Sequence, residues 1–150
     1  KINVIPAAAT AWVDGRLAPG QTQESFVAEL RPYIGDDVEI QIDQYSPPLE
    51  ASSESPLFQT VVDVMAQHDP EVPVVPSLMA GGTDAKHICP RRPNTQVYGF
   101  MPYRQQPGLE EMSLVHGHDE RTSVENLLFA TRIIYDIVCR FCRDDHVTKR

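Results

Sequence analysis

The sequence feature that most constrains the fold is an amphipathic repeat near the end of the chain. Apolar side chains recur there at the spacing of one helix face: Val124, Leu127, Leu128, Ile134, Tyr135, Val138 and Phe141. Ser123 precedes the repeat, and serine is favoured for capping the first turn of a helix. A helix with one apolar face has to bury that face against another element. The pattern therefore predicts a long amphipathic helix that begins after Ser123.

The pattern of residues 1–50 predicts a strand-helix-strand unit. Apolar residues alternate with polar ones at 7–13 and again at 38–42, which is the period of a half-buried strand. Thr22 can cap a helix between these segments, and Pro32 should limit its length. The unit would have one face packed and one face in water.

A stretch rich in proline and serine, residues 46–55, is the best candidate for a domain boundary. Beyond it, Ser55-Pro56 has the residue types of an N-cap and a first helical position. Apolar side chains at helical spacing over 57–65 then predict a helix. The valine-rich segment 72–75 predicts a buried or edge strand, and 97–100 is another short apolar run.

Composition excludes several classes of partner. The formal net charge of -8 argues against a nucleic-acid partner, because proteins that bind phosphate backbones usually carry a basic face. No apolar run approaches the roughly 20 residues that span a bilayer, so we expect no membrane partner. Three cysteines cannot all pair with one another and favour a reducing, cytoplasmic location. The chain begins at Lys1 without methionine, which suggests a piece of a longer protein.

The segment from His116 to Arg121 carries the strongest chemical signal. It places two imidazoles and two carboxylates directly ahead of the last helix. These groups are the usual ligands of zinc and related divalent metals, so His116 and His118 are both candidate ligands. The alternative is a solvated loop, with Glu120 near the positive end of the following helix.

The loop Gly81-Gly82-Thr83-Asp84 precedes a second predicted helix start. Its backbone amides could bind a substrate carboxylate at that helix end. The alternatives are a plain turn and an N-capping role for Asp84. Cys139 and Cys142 form a single C-x-x-C inside the last helix, and because a second pair is missing we favour core or surface thiols over a zinc site.

Several short motifs, taken in order, resemble a known family. They are Asn3-Val4-Ile5-Pro6, Asp14-Gly15-Arg16 with Pro19-Gly20, Gly81-Gly82-Thr83-Asp84-Ala85, Gly99-Phe100, and His116-Gly117 with Asp119-Glu120-Arg121 and Ser123-Val124. Their order and spacing resemble the zinc-dependent family of glutamate carboxypeptidase, aminoacylase, acetylornithine deacetylase and succinyl-diaminopimelate desuccinylase. The resemblance covers nearly the whole chain. It implies an α/β fold, with residues 51–150 as the C-terminal half of a zinc-exopeptidase-like catalytic domain. Residues 1–50 would be the second half of an inserted α+β, ferredoxin-like lid and dimerisation domain.

The resemblance also implies functional residues. His116, rather than His118, matches a metal ligand of the family. Asn3 and Arg16 match lid residues that contact the substrate or help to hold the developing oxyanion. The loop beside the carboxylate end of the substrate matches Gly81, Gly82, Thr83 and Asp84. No catalytic residue is assigned in this chain, because the remaining ligands and the general-base glutamate are expected before Lys1.

The activity that the resemblance implies is hydrolysis of an amide or peptide bond by metal-activated water, with two zinc ions in the full-length protein. The substrate would be a small peptide or an N-acyl amino acid. This chain alone should be inactive, because a catalytic zinc needs about three protein ligands. Its expected partners are the N-terminal part of the same protein and a second copy that dimerises through the lid. The alternative is a non-catalytic dimerisation or ligand-binding module with the same fold.

Overall fold

The computed structural model describes residue 3 and residues 5–143. Its helices are α1 (Gln23–Ile34), α2 (Pro56–His68), α3 (Ala85–Ile88), α4 (Glu111–Leu114) and α5 (Val124–Arg143). Among these helices, none combines the length and the apolar character that a membrane crossing needs.

The predicted strands are wrong for the part of the chain that the structure describes. No strand forms there, and an isolated antiparallel bridge between Gln106 and Leu109 is the nearest approach to one. Residues 7–13, 38–42 and 72–75 have no regular secondary structure. A strand exists only through hydrogen bonds to a neighbouring strand, and these segments have no such neighbour among the described residues. The described residues therefore show no sheet, and the α/β class and the lid domain stay predictions.

The chain divides into two compact units, each of which is described by itself. The first comprises Lys1–Glu50 with Ala80–His87, and the second comprises Ala51–Met79 with Ile88–Arg150. The change from one to the other at Glu50 falls inside the proline-and-serine stretch. The predicted domains at 1–50 and 51–150 stay a prediction. Their residues 1, 2, 4 and 144–150 lie outside the described part of the chain.

In the first unit, α1 begins as predicted at Thr22. The amide of Ser25 donates to Thr22 Oγ1 at 3.2 Å, and the amide of Thr22 donates to Ser25 Oγ at 2.9 Å. This reciprocal capping box satisfies two backbone donors at the helix start. Pro32 lies inside α1 and does not end it. The helix ends instead at Gly35, whose φ of 84° is a left-handed conformation that glycine adopts readily.

In the second unit, α2 packs against α5. Their shared core consists of Val61, Val64, Met65, Ile133 and Ile137. Ser55 caps α2 as predicted, because the amide of Phe58 donates to its Oγ at 3.1 Å. Partly buried side chains pack around this core: Leu57, Val74, Phe100 and Phe129.

Helix α5 is present and capped as predicted, but it buries a different stripe. The amide of Asn126 donates to Ser123 Oγ at 3.0 Å, which confirms the cap. The buried residues of α5 are Asn126, Ile133 and Ile137. Most residues that formed the predicted apolar face are exposed, for example Val124 at 74% and Tyr135 at 64%. The helix therefore has two apolar stripes, and the one that contacts α2 is the less conspicuous in the sequence.

Candidate functional site

His116 lies in the loop between α4 and α5, with its side chain exposed. Its backbone has a φ of 62°, a left-handed conformation that is uncommon for residues other than glycine. Two hydrogen bonds hold this bend. The His116 amide donates to Glu120 Oε2 at 3.0 Å, and the Gly117 amide donates to the carbonyl of Leu114 at 2.8 Å. The loop thus presents an accessible imidazole on a backbone that its own contacts fix.

Gly117 allows the loop to pass close to α4. A Cβ atom at this position would lie 3.0 Å from the carbonyl oxygen of Leu114, a contact that only a shift of backbone would relieve. The pairing of histidine with glycine in the motif therefore has a structural cause.

The other polar residues of the motif have separate positions. The Glu120 carboxylate binds the amide of His116, so it closes the loop rather than caps α5. Arg121 Nη1 donates to the carbonyl of Asp119 at 3.0 Å. His118 is exposed. Within the described ranges, no group of three or more histidine, cysteine, aspartate or glutamate side chains is arranged to hold a metal ion.

Glu111, which the sequence reasoning missed, connects the two ends of this loop. Its Oε1 accepts from the amide of Ser123 at 3.0 Å and from Asn126 Nδ2 at 2.8 Å, while Oε2 accepts from Thr122 Oγ1 at 2.7 Å. These hydrogen bonds, led by the one from the Ser123 backbone, hold the pKa of Glu111 below its ordinary value of 4.5. No local pattern signals such contacts, because they join residues eleven to fifteen positions apart.

The Gly81 to Asp84 loop belongs to the first unit and is exposed. The Ala85 amide donates to Thr83 Oγ1 at 3.3 Å, so Thr83 supplies the side-chain oxygen that we expected from Asp84. The carbonyl of Asp84 accepts from the amide of His87 at 2.9 Å. Helix α3 has four residues, and so short a helix has little dipole with which to bind an anion.

Arg16 and Asn3 are also exposed residues of the first unit. Arg16 donates to Asp14 Oδ2 from Nη2 at 2.6 Å and from Nε at 3.0 Å. Because both side chains are more than half exposed, this ion pair contributes only about 0–1 kcal/mol to stability. The structure therefore places Asn3, Arg16 and the glycine-rich loop in the first unit, and His116 in the second.

The chemistry of the donors fits a zinc site only in part. An exposed imidazole such as that of His116 can act as one ligand when it is neutral. The described residues do not complete a coordination sphere around it. Any further ligands would come from outside this set.

Comparison with known proteins decides the family. Residues 4–140 match the model of peptidase family M20/M25/M40. The chain belongs to this family. The match confirms the resemblance inferred from the motifs. Members of the family are generally metal-dependent.

Relatives at moderate identity cover nearly all of the chain. It is 30% identical over 144 residues to N-fatty-acyl-amino acid synthase/hydrolase of Bos taurus, a match that covers 92% of the chain and 28% of the relative. It is 27% identical over 142 residues to probable carboxypeptidase S-like 2 of Dictyostelium discoideum, with coverages of 92% and 26%. The match to N-fatty-acyl-amino acid synthase/hydrolase of Xenopus tropicalis is 32% over 132 residues, with coverages of 83% and 24%. The chain thus spans roughly a quarter of the length of these relatives, and no solved structure matches it.

Proposed function

We propose that this chain is part of a di-zinc hydrolase that cleaves an amide or peptide bond in an N-acyl amino acid or a small peptide. The observation that carries the proposal is the family match over residues 4–140, which includes the His116 loop. The exposed imidazole of His116 and the hydrogen bonds that fix its backbone support a ligand role.

The names of the relatives narrow the substrate class. One group is named for N-fatty-acyl-amino acids and the other for carboxypeptidases. An N-acyl amino acid and a peptide with a free C-terminus both have an amide bond next to a carboxylate. A substrate of this kind needs a cationic group close to the reacting amide. Because the chain has a net charge of -8, that group has to be an individual basic side chain at the site.

Arg16 is our candidate for that cationic group. Its planar guanidinium can match both oxygens of a carboxylate, and at present its Nε and Nη2 both donate to a single oxygen, Asp14 Oδ2. A substrate carboxylate would displace the Asp14 carboxylate from Arg16, or would bind Arg16 beside it. The exchange costs little, because an exposed ion pair is weak.

The mechanism assigns this chain a binding and orienting role. Bound metal ions would polarise the scissile carbonyl and lower the pKa of a water molecule. His116 would hold one metal through a neutral ring nitrogen. Asn3 would donate to the carbonyl oxygen as negative charge develops there, and Arg16 would orient the anionic end of the substrate. The glycine-rich loop from Gly81 to Asp84 would lie beside that end, and the general base would come from a glutamate before Lys1.

The rest of the proposal concerns assembly. Residues 1–50 would form part of a lid that closes over the substrate and allows two copies to dimerise. Residues 51–150 would dock with the N-terminal part of the same protein to complete the metal site. The location would be cytoplasmic.

The test is an activity assay on the intact protein that carries this sequence. N-acyl amino acids and dipeptides are offered with and without a chelator. Arg16→Ala should lower kcat/KM about tenfold for every 1.4 kcal/mol of lost transition-state contact, and Arg16→Lys should restore part of it. Asp14→Ala is the matched control, because it removes the ion pair while it keeps the guanidinium.

Two results would contradict the proposal. If Asp14→Ala and Arg16→Ala lose activity equally, the ion pair itself is what matters and Arg16 does not bind substrate. If the intact protein hydrolyses neither substrate class, the alternative of a non-catalytic dimerisation or ligand-binding module is the better account.

A further inference from the structure

We propose that Glu111 is a positioning residue whose carboxylate clasps the two ends of the loop that carries His116. We call the contacts of this carboxylate with Thr122, Ser123 and Asn126 the Glu111 clasp. The importance of the clasp for metal binding rests on the proposed function, whereas its existence rests on contacts within the second unit alone.

The clasp joins the start of the loop to its end. Glu111 is the first residue of α4, and its three partners lie at the end of the loop and in the first turn of α5. Both carboxylate oxygens are used: Oε1 for Ser123 and Asn126, and Oε2 for Thr122. Hydrogen bonds to an ionised group are roughly twice as strong as those between neutral groups, so three of them form a firm closure.

Asn126 extends the clasp to a third segment. Asn126 is 2% exposed, and the oxygen and nitrogen of its side-chain amide bind the backbone of Arg104. Its Oδ1 accepts from the Arg104 amide at 2.9 Å, and its Nδ2 donates to the Arg104 carbonyl at 2.9 Å. The side chain of Arg104 in turn donates to Asp69 at 3.0 Å, directly after α2. The loop is thereby tied to the packed α2–α5 pair rather than to itself alone.

The loop needs such a tie because its own hydrogen bonds hold only the bend at His116 and do not attach the loop to the packed helices. His116 and its neighbours up to Thr122 are exposed, and fixing each backbone residue costs about 1–2 kcal/mol of conformational entropy. A metal ligand has to be held within a few tenths of an ångström of its productive position. Joining the loop ends shortens the free segment and reduces the number of positions that the imidazole can sample.

A purely structural role for Glu111 is the competing explanation. A carboxylate at the start of α5 would also stabilise that helix through its unpaired amides and its dipole. The two roles differ in one respect. A cap affects the free energy of unfolding, whereas a positioning residue also affects how tightly the folded protein binds metal.

The experiment compares three variants in the intact protein that carries this sequence. Glu111→Ala removes the clasp. Glu111→Gln keeps an oxygen for Ser123 and Asn126, and the Thr122 hydroxyl can turn to accept from the new amide. Glu110→Ala is the matched control, because the neighbouring carboxylate is exposed and makes no cap hydrogen bond. Hydrogen exchange is followed over residues 115–123, and zinc affinity is measured by competition with a chelator.

We expect Glu111→Ala to accelerate exchange across residues 115–123 and to weaken zinc binding by about 10–100-fold, the range found for groups that orient metal ligands. The glutamine variant should recover most of both quantities at neutral pH, and the control should match the wild type.

Three outcomes would overturn the proposal. Unchanged exchange in Glu111→Ala means that the clasp does not hold the loop. Faster exchange with wild-type zinc affinity means that Glu111 only caps α5. Equal zinc loss in Glu110→Ala means that the effect is one of general charge. The fate of the proposed function is separate, because His116→Ala with full zinc and full activity would refute that function while exchange in Glu111→Ala still reports on the clasp.

Discussion

The replacement Asn126→Asp tests the polar network of the second unit with almost no change in shape. In the native chain, Asn126 Nδ2 donates to the Arg104 carbonyl and to Glu111 Oε1, and Oδ1 accepts from the Arg104 amide. Only this orientation of the amide satisfies all three partners. An aspartate keeps the one accepted hydrogen bond, but it places a carboxylate oxygen opposite two acceptors, at separations of 2.9 and 2.8 Å.

The magnitude follows from these contacts. Asn126→Ala removes three hydrogen bonds and should cost about 2–4 kcal/mol of unfolding free energy, at roughly 1 kcal/mol each. Asn126→Asp removes two of them and adds an uncompensated charge at a site that is 2% exposed. A buried charge without a partner costs about 3–5 kcal/mol of unfolding free energy. The aspartate variant should therefore be at least as unstable as the alanine variant at pH 7.

The measurement is urea unfolding at pH 7 and at pH 4, monitored by circular dichroism. At pH 4 the difference in unfolding free energy between Asn126→Asp and Asn126→Ala should be smaller, because a protonated carboxyl can donate a hydrogen bond again. Asn94→Asp is the control, since Asn94 is exposed and such changes usually stay within about 0.5 kcal/mol. The reasoning is refuted if Asn126→Asp unfolds within that same margin of the wild type at pH 7.

Three further predictions concern stability and are checked by denaturant titration. Gly15→Ala should cost about 1–3 kcal/mol of unfolding free energy by overpacking, because the new Cβ would lie 2.6 Å from the ring of Phe26 in α1. An unchanged midpoint would disprove that contact. Ile133→Ala, at 0% exposure, should cost about 2–5 kcal/mol. Ile134→Ala should cost about 1 kcal/mol or less, and equal losses would show that the wrong stripe has been assigned to the core. The hydrogen bond from the Ser123 backbone leads those that lower the pKa of Glu111. The stabilising effect of the ionised Glu111 carboxylate should therefore be complete above pH 4.5, its ordinary pKa, and should be lost as the pH falls through its lower pKa in the folded state. Glu111→Gln should flatten this acid-side decline, and an unchanged decline would contradict the assignment.

The helix starts could be predicted because their determinants are local. Thr22, Ser55 and Ser123 each cap a helix through a hydrogen bond to an amide three residues later, so the signal and its effect lie within one turn. Pro32 shows the limit of such rules. It lies in the last turn of α1, where the loss of one amide donor does not prevent the helix from continuing to Ile34.

The lack of strands among the described residues and the buried stripe of α5 could not be predicted, because both depend on partners distant in sequence. Alternation at 7–13 reports which faces a strand would have, but not whether a neighbouring strand is present. Likewise, the pattern of α5 contains two apolar stripes, and only the position of α2 decides that Ile133 is buried and Val124 is not.

The candidate site shows the same division. The motif around His116 identified the loop, and the structure adds a left-handed backbone held by Glu120. It could not identify Glu111 or Asn126, whose roles arise from contacts between separate elements. The sequence contains only an asparagine among the apolar residues at the start of the last helix, and the structure shows that it is buried. Polar groups at such positions are nearly always hydrogen-bonded.

The most direct test of the account is the zinc content of the intact protein when each histidine of the motif is replaced. Metal is measured by mass spectrometry after equal dialysis, for His116→Ala and for His118→Ala, with hydrolysis assayed on the same samples. We expect the His116 variant to lose zinc and activity, whereas the His118 variant should keep most of both. Equal loss in the two variants, or full zinc in His116→Ala, would contradict the assignment of His116 as the metal ligand of this chain.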